Sequence, residues 1–149
     1  MSITEYCIHN VVCASRETTA LEAAGLMRHH HVGDVVVVDE IDGAKKPVGI
    51  VTDRDLVVEV MAGGVDARSV KLGELLLRAP VTIPASASYA DTVRLMAVNG
   101  VRRMPVVGPD GILVGIITAD DLLRQLTSPL AALSDLVGRA RAFEAQTRR

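Results

Sequence analysis

The 149 residues carry 16 Lys and Arg against 18 Asp and Glu, for a formal charge of −2, and are 49% hydrophobic but only 2% aromatic. An aliphatic core follows, and the acidic balance with so few aromatic rings argues against the stacking platforms and basic tracks of nucleic-acid binders, Arg102-Arg103 and Arg148-Arg149 being local exceptions. No apolar run reaches bilayer length and no secretory segment opens the chain, so a soluble, cytoplasmic protein is expected, long enough for one core or two small halves sharing one.

Cys7 and Cys13 are the two cysteines, expected as small buried or half-buried thiols rather than a disulfide. Cys7 and His9 supply two donors of a metal site, but no further ligands follow at a recognisable spacing, so no metal is expected. A short strand is predicted near Asn10 to Ala14, then a helix from about Thr19 to His30, whose Ala20, Ala23, Ala24 and Met27 fall on one face. The β-branched run Val35 to Val38 suits a strand covered on both faces. A turn at Asp42-Gly43 returns the chain to a strand at Val48 to Val51, which runs into Thr52 and a helix bearing Leu56, Val57, Val60 and Met61 before Gly63-Gly64. Ser69 is placed to cap a short linking helix through Leu75-Leu76-Leu77, stopped by Pro80.

From Val81 the same order repeats: a strand to Ile83, a helix from Ser88, strands at Met104 to Val107 and Ile112 to Ile117, and a helix from Ala119. Leu26-Met27 and Leu95-Met96 stand 69 positions apart, as do Val32 and Val101. At the corners, Thr52 and Thr118, the offset falls to 66, a difference confined to a hairpin turn. Two βαββα repeats, each too small to cover its own sheet, must pack on each other. The chain is therefore expected as an α/β (α+β) protein with a first repeat over 1–65, a linking segment over 66–78, a second repeat over 79–127 and a C-terminal helical tail over 128–149. Ser128-Pro129 reads as a fresh helix start, and Leu133, Leu136, Ala140 and Phe143 form a seam that either folds back or meets a partner chain.

Each corner is written Thr-x-x-Asp: Thr52 with Asp55, and Thr118 with Asp121. One reading is a capping box closing the first helical turn. The other is a ligand site, because a helix start offers unpaired N–H groups to an anion while an ionised aspartate accepts hydrogen bonds from a pair of sugar hydroxyls. No nucleophile motif or glycine-rich phosphate loop competes with it, so no catalysis is expected.

The two corners, with Val12-Cys13-Ala14, Val81-Thr82-Ile83 and Arg102-Arg103-Met104-Pro105-Val106-Val107 in this order, resemble a tandem of cystathionine-β-synthase (CBS) domains, the Bateman module, over roughly Met1 to Thr127. The resemblance implies pseudo-twofold repeats packed sheet to sheet with two clefts between them, binding AMP, ADP or ATP, with NAD or S-adenosylmethionine as further candidates, and often a disc-like homodimer. It implies ribose on Thr52 and Asp55 and on Thr118 and Asp121. Adenine would lie against Val81, Ile83, Met104 and Pro105 in one cleft and Val12, Ala14, Val35 and Val36 in the other. Phosphate would meet Arg102, Arg103 and Arg54. The first repeat departs from this pattern, with Gly33-Asp34 standing where Arg102-Arg103 stands and Val36 where Pro105 stands. A carboxylate near phosphate is repulsive, so the clefts are expected to be unequal, with the Thr118 and Asp121 cleft favoured for a phosphorylated nucleotide. His29-His30-His31 reads either as a polar helix end or as a partial offset to Asp34. The expected function is a non-catalytic adenine-nucleotide sensor acting on a regulated protein; the alternative is a scaffold with empty clefts that assembles through its tail.

Overall fold

The duplicated order folds into two three-stranded sheets, each with its second strand in the middle. The computed structural model describes residues 2–147, so Arg148-Arg149 lies outside the described residues. In the first sheet β1 (Cys13–Ala14) runs parallel to β2 (Asp34–Ile41), and β2 pairs antiparallel with β3 (Ala44–Thr52). In the second, β4 (Ile83–Pro84), β5 (Arg103–Val107) and β6 (Leu113–Thr118) repeat that arrangement. Duplication reaches the irregularities: the ladder shifts register after Val37↔Gly49 in one sheet and after Val106↔Gly115 in the other.

The helices end as the repeat dictates, with one substitution. Thr19 caps α1 (Ala20–His30) in a reciprocal box with Glu22, and Ser88 caps α4 (Tyr89–Asn99) through the Asp91 amide. α4 closes on Gly100 at φ 63°, where glycine carries no Cβ penalty, whereas α1 closes on His31 at φ 54°. The histidine run is thus a helix terminus, with the His29 and His30 rings packed edge to face. After the first corner a single α-helical turn, α2 (Asp53–Asp55), widens into the π-helical turn Leu56–Met61.

Each core is completed by a segment from beside the other repeat. Ile3 and Cys7, expected within the first repeat, pack with Ile83, Met96, Met104 and Ile117 of the second. Leu72, opening α3 (Leu72–Leu75), is buried with Ala23, Val37 and Val51 of the first. The linking helix therefore begins at Leu72 rather than being capped by Ser69, whose hydroxyl donates to the Asp66 carbonyl; the Lys71 amide is met by Glu74 Oε2 at 3.0 Å. It also ends before Leu76, because that side chain is needed against Gly49. The corner glycines acquire a reason here: a Cβ on Gly49 would lie 2.3 Å from Leu76 Cδ2, and one on Gly115 would lie 2.7 Å from Cys7 Sγ. A third cluster, Val36, Val38 and Ile116 with Val11, Cys13 and Ile50, joins the two sheets.

The helix start expected at Ser128-Pro129 is absent. α5 (Ala119–Thr147) runs through Pro129 unbroken. Proline removes the amide that would meet the Gln125 carbonyl, but every residue from Leu123 to Thr147 is exposed, so water can satisfy that oxygen. Leu133, Leu136 and Phe143 are 57%, 60% and 69% exposed, so the seam does not fold back on its own repeat. Among the described residues no helix is long and apolar enough to cross a membrane.

Candidate functional site

Strand order decides what each corner faces. Because β2 starts its ladder with Asp34↔Thr52 and β5 starts its own with Arg103↔Thr118, residues 33–34 and 102–103 lie beside the helix starts, near the contact between the repeats. One cleft opens there, and a smaller one opens on the first repeat. The larger, about 880 Å³, is lined by Thr52, Asp53, Arg54 and Asp55 of the first corner, Leu77 to Val81 of the segment entering β4, and Arg102 and Arg103. The smaller, about 270 Å³, is lined by Val11, Val12, Cys13, His30 and Val32 with their neighbours. Pockets that enclose small ligands span roughly 300 to 1,000 Å³, which the larger cleft meets and the smaller does not.

The larger cleft gathers the first corner and the paired arginines, a combination opposite to the expectation that Arg102 and Arg103 serve Thr118 and Asp121. Repeat packing is the reason: the second repeat's arginines cross toward the first repeat's helix start. In this cleft Asp55 Oδ2 accepts from the Thr52 amide at 2.8 Å, the Asp55 amide donates to Thr52 Oγ1 at 3.1 Å, and Asp55 Oδ1 has no partner among the described residues. The capping box is thus real and leaves one carboxylate oxygen available.

Asp121 is spent. Its Oδ2 accepts from the Thr118 amide at 3.0 Å and from Thr118 Oγ1 at 2.7 Å, Arg124 Nη1 lies 3.6 Å from Oδ1, and the residue is 8% exposed. Neither Thr118 nor Asp121 lines either cleft. A carboxylate so enclosed acts as a helix cap.

The expected adenine walls divide in the same way. Val81 lines the larger cleft and Val12 the smaller. Ile83, Met104, Pro105, Val35 and Val36 are buried in the sheet cores, and half-buried Ala14 packs against the Leu72 cluster. Their β-branched and apolar character, read as a ring-stacking surface, is core packing. Of the expected phosphate groups Arg54 lines the larger cleft, and Arg102 additionally lies 3.6 Å from Asp120. Arg78 lines the same cleft and was missed in the sequence, being read as linker; its signal was the 69-residue offset that makes Leu76 the counterpart of Cys7.

Arg103 is the most constrained of these cations. Its Nη1 donates to Asp34 Oδ2 at 2.5 Å and to the Gly33 carbonyl at 3.3 Å. Burial pushes the Asp34 carboxyl above its ordinary value, opposed by the Arg103 charge and reinforced by Asp53. Both thiols are free and are also pushed up by burial, Cys13 in spite of Lys45. Cys7 Sγ lies 3.8 Å from His9 Nε2, and among the described residues no group of three or more His, Cys, Asp or Glu side chains could hold a metal.

The CBS domain family model matches residues 3–62 and 72–128. Hypoxic response protein 1 of Mycobacterium tuberculosis is 34% identical over 116 residues, 78% of each chain. Uncharacterized protein MK0525 of Methanopyrus kandleri is 36% identical over 124 residues, 83% of this chain; the chain spans 62% of that relative's length. The fold matches the crystal structure of hypoxic response protein I with two coordinated zinc ions (TM-score 0.73, 31% identity, 83% of this chain and 98% of that one). It also matches CBSX2 of Arabidopsis thaliana in complex with AMP (TM-score 0.70, 26% identity, 85% and 96%).

Proposed function

Because the chain belongs to the CBS domain family, with two copies of the domain in one polypeptide, we propose that it is a non-catalytic sensor that binds AMP, ADP or ATP in its larger cleft and passes occupancy to its own assembly or to a regulated protein. One observation carries this reading: Thr52 and Asp55 share a single cleft of about 880 Å³ with Arg54, Arg78, Arg102 and Arg103. The carboxylate can accept from a ribose hydroxyl pair, and the guanidinium groups offer fixed, permanently charged donors to phosphate. The AMP complex of CBSX2 is in keeping with that chemistry. A ligand shifts such a module only as far as it binds one arrangement better than the other, and the larger cleft spans both repeats, so its contents bear on how the repeats sit together.

Isothermal titration with AMP, ATP, NAD and S-adenosylmethionine tests the proposal. The expected result is binding of an adenine nucleotide by the native protein, weakened at least tenfold by Asp55→Asn, which retains a capping oxygen, and by Arg102→Met. Absence of binding at millimolar ligand would overturn it and leave a scaffold assembled through α5, whose exposed leucines favour association in either case.

A further inference from the structure

Asp34 and Arg103 stand 69 positions apart, so they are the same position in the two repeats, and they meet as an ion pair where the repeats touch. Side-chain exposures of 18% for Asp34 and 31% for Arg103 leave that pair only partly screened. Arg103 lines the larger cleft, and Asp53, which also lines it, has its amide on the Gly33 carbonyl at 3.0 Å. One of the four arginines lining the cleft is therefore already held by a carboxylate of the protein that lies outside the lining itself.

We propose that Asp34 is the specificity-determining residue of the larger cleft: it occupies the anionic partner position of Arg103 and so sets the amount of phosphate charge the cleft accepts, favouring a nucleoside monophosphate over di- and triphosphates. Each further phosphate charge brought within several ångströms of Asp34 meets like-charge repulsion that a partly buried site does not screen away. Arg103 Nη2 and Nε have no partner among the described residues, so a single phosphate can be received without expelling Asp34. A longer polyphosphate must compete for the donor that Asp34 holds. The proposal rests on the adenine-nucleotide reading for the nucleoside part of the ligand alone.

The test is a titration series of adenosine, AMP, ADP and ATP, with inorganic pyrophosphate as a probe lacking the nucleoside, against the native protein and Asp34→Asn, with Asp34→Ser as the second variant should the first not fold. The expected result is an unchanged adenosine affinity, a gain of a few-fold for AMP and a gain of about tenfold or more for ATP and pyrophosphate. Equal gains for all ligands, or none, with AMP still bound by the native protein, would overturn the role of Asp34 and leave the nucleotide reading standing. Pyrophosphate bound tenfold tighter by the variant, with no adenine compound bound by either protein, would retain the role of Asp34 and remove the nucleotide reading. No binding of any probe to either protein would overturn both.

Discussion

Ile3 and Leu72 occupy equivalent positions of the duplication, 69 residues apart in the sequence, and each is fully buried in the core of the other repeat. The repeats are therefore held together by exchanged segments as well as by the Val36, Val38 and Ile116 contact between sheets. Deleting a buried aliphatic side chain costs about 2 to 5 kcal/mol, depending on how far the site collapses. Ile3→Ala and Leu72→Ala should each lower stability within that range, and each should do so in one cooperative transition, since loosening either core removes a part both repeats share. Calorimetry with two separated transitions in either variant would show that the repeats unfold independently.

The two corner glycines are equivalent in sequence and unequal in what they protect. A Cβ on Gly49 meets the end of the Leu76 side chain, which can rotate away, whereas one on Gly115 lies 2.9 Å from the Ile8 carbonyl, which is tied into a bridge with Ile116. Gly115→Ala is expected to reduce the melting temperature more than Gly49→Ala, and the reverse order would mean that the segment through Ile8 yields more easily than its hydrogen bonds with Ile116 imply.

Gly100 and His31 close equivalent helices in the left-handed region, and only one of them does so without strain. A residue with a Cβ pays about 1 kcal/mol there. His31→Gly should raise stability by about 0.5 to 1 kcal/mol and the melting temperature by a few degrees. A loss of stability in thermal denaturation would show that the imidazole contributes more at the end of α1 than its backbone costs.

Much of this was legible in the sequence because duplication doubles every signal. The capping residues Thr19 and Ser88, the corner threonines and the strand order each appear twice at matched spacing. What the sequence concealed was how the copies face each other. Nothing in Arg102-Arg103 says that these side chains cross to Thr52 rather than stay beside Thr118, and nothing in Val35-Val36 or Met104-Pro105 separates a ligand wall from a core strand, since both are apolar. The exchange of Ile3 and Leu72 was encoded only as an offset continuing upstream of the first strand. Pro129 misled for a different reason: proline penalises a helix through an unsatisfied carbonyl, and full exposure of that stretch removes most of the penalty.

Carboxyl titrations should separate the inter-repeat pair from the helix caps. Asp34 is raised above 3.8 by burial, whereas the hydroxyl of Ser88 holds Asp91 below 3.8 and the amide and hydroxyl of Thr19 hold Glu22 below 4.5. A raised carboxyl contributes stability that is present below its unfolded value and lost as pH rises through its folded value; a depressed one contributes stability present above its unfolded value and lost as pH falls through its folded value. The native protein should therefore lose stability relative to Asp34→Asn as pH climbs from below 3.8, while Asp91→Asn should be most harmful at neutral pH and nearly silent in acid. Carbon-detected NMR of the three side chains checks the order directly, and an Asp34 midpoint below that of Asp91 would contradict it.

From Leu123 to Thr147, α5 is exposed over about 37 Å of helix. Its large apolar residues, with Pro129 and Ala140, fall in three neighbouring columns, each repeating at seven: Leu123, Leu130 and Val137; Leu126, Leu133 and Ala140; Pro129, Leu136 and Phe143. Two such columns make the seam of a coiled coil, and a third widens the face toward a bundle. Most helical stability in proteins comes from packing of an apolar face rather than from intrinsic propensity, so α5 should pair with α5 of further copies. Leu133→Lys with Leu136→Lys in the full chain, and truncation after Thr127, should both lower the mass found by light scattering at micromolar protein, and helicity measured by circular dichroism should fall with dilution of the native chain. An unchanged mass in both variants would place the assembly surface elsewhere, on the exposed Leu21, Val57, Val58 and Met61 of the first repeat.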